Sequence, residues 1–280
     1  MPEKFLVCTD LDRTLLPNGE QNESPQAASR FKQLVSRNNV FLTYVSGRHK
    51  ALILDAINDY HIPLPDYAIG DVGTTIYEIK NNNWTSWQAW QDEIAPDWNN
   101  HTGEEIHTWL TDLAELRLQE KEKQNRFKLS YYALPTINVS SLLAVVEQRL
   151  KENHVKANLV WSIDETTDTG LLDILPISAN KLHAIRFLLK EKGFTQDHCI
   201  FAGDSGNDLE VMCSDIPSVL VNNATDDVKG QAIQMAQANG TYEQLYLAQG
   251  NFLGMNGNYA AGILEGLAHY HPQLLPFIES

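Results

Sequence analysis

The chain has 280 residues, 21 basic and 36 acidic, for a formal charge of −15, with 43% apolar and 20% charged residues. This is a globular composition with length for about two domains, and its acidity excludes a broad nucleic-acid or anionic-membrane face. No apolar run approaches the roughly 18 residues of a membrane span, and Cys8, Cys199 and Cys213 match neither a disulfide framework nor a zinc spacing.

Phe5 to Thr9 is a short apolar run of the kind buried on both faces of a parallel sheet. It meets Asp10 and Asp12 too soon to be a signal peptide, so a soluble cytoplasmic protein is expected. Ser24-Pro25 reads as an N-cap and first helical residue ahead of Ala27, Ala28, Phe31, Leu34 and Val35 at helical spacing. Val40 to Val45 reads as a strand, and Leu52, Ile53, Ala56, Ile57 and Tyr60 as a second helical stripe. Tyr67 to Ile69 and Thr75 to Tyr77 are further strands around a turn at Gly70 to Thr74. The βαβαβ order predicts a parallel sheet with right-handed crossovers.

The texture changes at Asn81-Asn82-Asn83. Five tryptophans fall between Trp84 and Trp109, where core packing is the better account and sugar stacking the other. A mixed-charge helix is expected from about Thr102 to Lys123, a strand over Phe127 to Leu134, a helix over Ser140 to Asn153 and a strand over Val155 to Ile163. This mixture suggests an α+β insert, spanning 83–171. Leu171 to Leu175 is a strand leading back to a domain made of 1–82 and 172–280. Ser178 caps a helix carrying Leu182, Ile185 and Leu189. Cys199 to Ala202 and Ser218 to Val221 are buried strands, and Tyr259 to Tyr270 is the last helix.

Open parallel sheets bind ligands beyond the carboxyl ends of their strands. The first strand releases Asp10-Leu11-Asp12-Arg13-Thr14, the second Ser46-Gly47-Arg48, and Cys199 to Ala202 releases Gly203-Asp204-Ser205-Gly206-Asn207-Asp208. Lys181 opens the helix after Pro176. Four carboxylates, a hydroxyl, an amide and a lysine therefore converge on one sheet edge. Carboxylates crowded this way need a hard cation, and oxygen-only ligation points to Mg²⁺. Such a site neutralises a phosphoryl group, while one carboxylate can attack phosphorus and another, two residues on, can move protons.

Asp10-x-Asp12-x-Thr14, Ser46, Lys181 and Gly203-Asp204-x-Gly206-Asn207-Asp208 resemble the four ordered motifs of the haloacid dehalogenase (HAD) phosphotransferases, and the insert resembles a C2B-type cap. The implied fold is a Rossmann-like HAD core with a parallel sheet and an inserted α+β cap. Phe127 to Tyr131, Leu172 to Pro176 and Ala260 to Glu265 are most similar to sucrose-phosphate phosphatases. By that resemblance Asp10 is the nucleophile and Asp12 the general acid/base. Ser46 and Lys181 hold the phosphate, Asn207 steadies Lys181 or the phosphate, and Mg²⁺ is bound by Asp10, Asp12 and Asp204 with support from Asp208. The implied partner is a small-molecule sugar phosphate: sucrose 6-phosphate, or another such as glucosylglycerol, mannosylfructose or a hexose phosphate. A phosphomutase of the same cap type is an alternative, and a silent sugar-binding module a remoter one. The family's Ser-Gly-Lys-Asp stretch is replaced by Asp164 to Gly170, without the lysine. Further candidates for substrate contact are Arg48, Asp71, Gly73, Thr74 and Lys128, with loop support, turn formation or a solvated face as their plainer accounts.

Overall fold

Phe5–Thr9 forms β1, and all five of its residues are buried. In the computed structural model, which describes residues 3–134, 136–164 and 167–279, the chain divides into two compact units, Met1–Ser86 with Lys181–Ser280 and Trp87–Asn180.

In the first unit, β1 is followed by α1 (Ala27–Val35), β2 (Val40–Val45), α2 (Lys50–Asp59), β3 (Tyr67–Gly70), β4 (Thr75–Lys80) and β5 (Asn83–Ser86). The helix α1 buries Ala27, Phe31 and Leu34, the one-sided stripe expected of a helix lying on a sheet. β4 and β5 form an antiparallel hairpin whose turn residues, Asn81 and Asn82, have φ of 51° and 62°. Asparagine tolerates this left-handed pair, the requirement of a tight hairpin turn. The asparagine run is thus a turn inside the first unit, and the expected boundary after residue 82 moves past Ser86.

The second unit holds α3 (Gln88–Ile94), α4 (Gly103–Thr108), β6 (Leu116–Leu118), β7 (Leu129–Ala133), α5 (Val139–Glu152), β8 (Ala157–Asp164) and β9 (Thr169–Pro176). Its four strands pair antiparallel in the order β6-β7-β9-β8. Two expectations change here. The helix from Thr102 ends at Thr108, because Leu116-Arg117-Leu118 alternates with period two and pairs along β7. The strand expected to return the chain to the first unit, β9, is hydrogen-bonded to both β7 and β8, so the second unit continues to Asn180. Trp90 and Trp98 are fully buried, in line with the packing account. Glu165 and Thr166, in the stretch that lacks the family's lysine, lie outside the described residues.

The first unit resumes with α6 (Lys181–Lys192), β10 (Cys199–Gly203), α7 (Leu209–Met212), β11 (Ser218–Leu220), α8 (Asp226–Asn239), β12 (Leu245–Leu247), α9 (Ala260–Tyr270) and α10 (Leu275–Ile278). Its eight strands run β12-β11-β10-β1-β2-β3-β4-β5, parallel from β12 to β3. Helix α9 is buried over Ala260 to Leu267, including Glu265, which accepts hydrogen bonds from the Tyr246 hydroxyl and the Gln249 and Gly250 amides. β1 lies between β10 and β2, so Asp10 leaves the middle of the parallel sheet, where a site gains residues from both sides.

Candidate active site

The three loops and one helix start read from the sequence meet within the first unit. Asp10 and Asp204 leave adjacent strands, and Asp208 follows one turn after Asp204. A carboxylate oxygen from each of these three lies within 4.8 Å of the others, and all three residues are buried. Lys181, the first residue of α6, donates to Asp208 Oδ1 at 2.6 Å, Asp10 Oδ1 at 3.1 Å and Asn207 Oδ1 at 3.3 Å. Thr14 Oγ1 donates to Asp204 Oδ1 at 3.0 Å.

Burial is the dominant influence on these groups. It lifts Asp10 from 3.8 to about 7 against the opposing charge of Lys181, with Asp208 and Asp204 adding to the rise. Asp204 rises to about 6, again by burial, partly offset by the Thr14 hydrogen bond. Burial also works against the charge on Lys181, but Asp10 and Asp208 outweigh it and hold the ammonium above its ordinary value. One buried lysine and the half-exposed Arg13, whose Nε lies 3.7 Å from Asp204, still leave the three buried carboxylates short of positive charge. Closely set, oxygen-only donors short of positive charge are the donor set a hard divalent cation requires, so these residues fit one.

Asp208 is occupied chiefly by its own loop. Its Oδ2 accepts from the Asp204 and Ser205 amides and from Ser205 Oγ, each at 3.2 Å, while Oδ1 holds Lys181. That close return of the loop depends on Gly203, since a Cβ there would stand 2.7 Å from the Asp208 side chain.

Asp12 stands apart from this cluster and faces Arg48. The guanidinium reaches it through Nε at 2.8 Å and Nη2 at 2.6 Å, and Asn18 Nδ2 donates at 2.8 Å. Although partial burial opposes it, these bonds hold the Asp12 carboxyl below the usual carboxylate range. Arg48, a candidate for substrate contact by sequence, is therefore committed to Asp12. Ser46 is buried, with its N–H on the Ile69 carbonyl at 2.8 Å and its Oγ accepting from the Arg48 amide at 3.2 Å. Asp71, Gly73 and Thr74 follow β3, and the Asp71 amide donates to the Arg48 carbonyl at 3.0 Å. Asp71 and Gly73 have φ of 53° and 92°, so the turn reading accounts for their backbone.

Lys128 belongs to the second unit. It is buried, 3.8 Å from Asp173, and donates to the Lys123 carbonyl at 3.3 Å. It borders a cavity of about 680 Å³ together with His107, Gln119, Gln124, Asn125 and Arg126. Sequence reading passed over Asn18 and Asn223. The second was accessible by the rule already in use, since Asn222-Asn223 leaves the apolar run Ser218 to Val221.

A family model described as sucrose-6F-phosphate phosphohydrolase matches residues 3–271. The chain belongs to that family, one of HAD-type sugar phosphatases. It is 52% identical over all 280 residues to a protein of Nitrosococcus oceani named a HAD-like hydrolase, covering 75% of that protein. It is 25% identical over 274 residues to sucrose-phosphatase 1 of Nicotiana tabacum, 96% of this chain but 59% of the tobacco protein. Identity to the mannosylfructose-phosphate phosphatase of Agrobacterium fabrum is also 25%, over 95% of this chain and 96% of that enzyme. The fold is that of the sucrose-phosphatase of Synechocystis, solved with sucrose and phosphate, at a TM-score of 0.71 and 24% identity over 96% and 98% of the two chains. Among the described residues no helix is long and apolar enough to cross a membrane.

Proposed function

We propose that this chain hydrolyses a sugar phosphate, sucrose 6-phosphate or a similar glycosyl phosphate, in a Mg²⁺-dependent reaction through an aspartyl-phosphate. The observation that carries this reading is the pairing of buried Asp10 with Lys181 beside Asp204 and Asp208. A carboxylate there is placed to attack phosphorus while a cation meets the phosphate oxygens. Mg²⁺, held by Asp10, the Asp12 carbonyl and Asp204 with Asp208 in support, would supply the remaining positive charge.

Asp10 Oδ forms the bond to phosphorus as the sugar oxygen leaves with a proton from Asp12, which takes that proton up from solvent on release from Arg48 and delivers it in this step. Water then attacks the same phosphorus, gives its proton to Asp12 and frees inorganic phosphate and Asp10. Lys181, Ser46 and Asn207 hold the phosphate oxygens, and Arg48 holds Asp12. We take the first unit as catalytic and Trp87–Asn180 as the cap that selects the sugar. Its cavity is of the size that takes a small ligand. Lys128 there, and Asp71, Gly73 and Thr74 in the first unit, are the candidate sugar contacts. The three buried, unpaired cysteines suit a reducing cytoplasm.

The test is phosphate release from a panel of mono- and disaccharide phosphates with Mg²⁺. Asp10→Asn or removal of Mg²⁺ with a chelator should abolish turnover. Full activity in either condition would overturn the mechanism, and the preferred member of the panel names the sugar.

A further inference from the structure

The turn after β1 contains one residue in an unfavourable conformation. Arg13 has φ of 58°, in the left-handed region that side chains other than glycine seldom adopt. Two asparagines hold the peptide planes on either side of it. The Arg13 N–H donates to Asn18 Oδ1 at 2.7 Å, and the Arg13 carbonyl accepts from Asn223 Nδ2 at 2.6 Å. In a trans peptide the N–H and the preceding carbonyl point in opposite directions. The bond to Asn18 therefore sets the direction of the Asp12 carbonyl, and the bond to Asn223 sets the next plane. The residue that follows, Thr14, reaches Asp204.

Asn223 is anchored for this task. It is 5% exposed, and its Oδ1 accepts from the Tyr259 amide at 2.9 Å. One half of the amide grips the turn and the other grips the start of α9. Asn18 adds a second hold, donating to the Asp12 carboxylate. A strained residue clamped through both flanking peptides, next to reacting groups, is a site where strain is kept for a purpose.

We propose that Asn18 and Asn223 are positioning residues that lock the Asp12–Arg13–Thr14 turn and thereby aim the carbonyl and carboxylate of Asp12. This rests on the Mg²⁺-dependent reading above. Asn222 is the natural control, because its side chain holds the Asn256 carbonyl at 2.9 Å and makes no bond to the turn.

The experiment measures Mg²⁺ binding by calorimetry without substrate, with turnover of p-nitrophenyl phosphate as a second readout. Asn223→Ala and Asn223→Asp should each weaken Mg²⁺ binding roughly tenfold and lower kcat with little change in KM, the loss expected for one buried hydrogen bond. Asn222→Ala should match the wild type in both. Asn223→Asp keeps the acceptor for Tyr259, so it decides the matter if Asn223→Ala fails to fold. Its added negative charge would by itself tighten a cation, so weakening in that variant reports geometry. Wild-type Mg²⁺ affinity and kcat in both Asn223 variants, or equal losses in Asn222→Ala, would overturn the inference while leaving the proposed function standing. A wild type that neither binds Mg²⁺ nor releases phosphate would overturn the function, and this inference with it.

Discussion

Replacing Lys181 with methionine keeps the length of the side chain and removes its charge. The lysine side chain is 8% exposed and lies 2.6 Å from Asp208 and 3.1 Å from Asp10. Its loss leaves buried carboxylates facing one another without their cation. Removing one partner of a buried ion pair costs about 3–5 kcal/mol. For a unit of this size each kcal/mol moves the melting temperature by roughly 2–4 °C, so a fall on the order of 10 °C is expected. Asp10 sits at about 7 with Lys181 holding it down, and loss of the lysine raises it further. Both proteins are relieved by protonation at pH 6, so the fall should be larger at pH 8 than at pH 6. The assay is thermal unfolding of wild type and Lys181→Met in chelator at both pH values. With Mg²⁺ restored, phosphate release by the variant should be down by about 10²–10³, the loss of one preorganised charge contact. A variant melting within about 2 °C of wild type at pH 8 would refute the claim that Lys181 compensates these carboxylates.

Two further outcomes follow from the packing. His271 is 3% exposed against the Phe5 ring, and burial, then the charge of His198, lower it from 6.5 to about 4. The unfolded chain takes up a proton near 6.5 and the folded one only near 4, so stability falls as pH drops through that window, by up to ~3 kcal/mol. Urea unfolding between pH 7 and 4.5 should show a flatter dependence for His271→Phe, and parallel curves would count against the burial account. Gly203→Ala should push the Asp208 side chain off its loop and cut phosphate release about a hundredfold, through displacement of Lys181. Unimpaired release would mean that the loop yields without moving Asp208.

Asp10, Asp204, Asn207 and Asp208 were legible because the carboxyl ends of parallel strands are read directly from apolar runs followed by polar turns, whereas Lys181, which opens α6, was legible through its place in the motif order. The partner of Asp12 was not, because which way a guanidinium turns depends on tertiary geometry rather than spacing. Arg48 thus entered as a substrate candidate and is bound to Asp12. Asn223 was within reach of the same strand-end rule, but an asparagine after a strand also serves as an ordinary turn residue, and the rule does not tell the two apart. The insert was the hardest to read. Leu110, Leu113 and Leu116 keep a helical interval past the real end of α4, and only pairing with β7 turns Leu116–Leu118 into a strand. The return boundary failed for a related reason: an apolar strand does not say which sheet it joins, and β9 joins the second.

The contact between Lys181 and Asp10 spans 171 positions of sequence, and that between Thr14 and Asp204 spans 190. Contacts so distant close only after the entropy of the intervening loops has been offset by strand pairing. In a chain still being assembled, the acidic residues at 10, 204 and 208 are scattered and do not repel. Their mutual repulsion arises once β10 docks beside β1, so it opposes that docking and none of the steps that precede it. A divalent cation in a refolding mixture should therefore speed that docking, read as earlier recovery of turnover, and leave the steps before it unchanged.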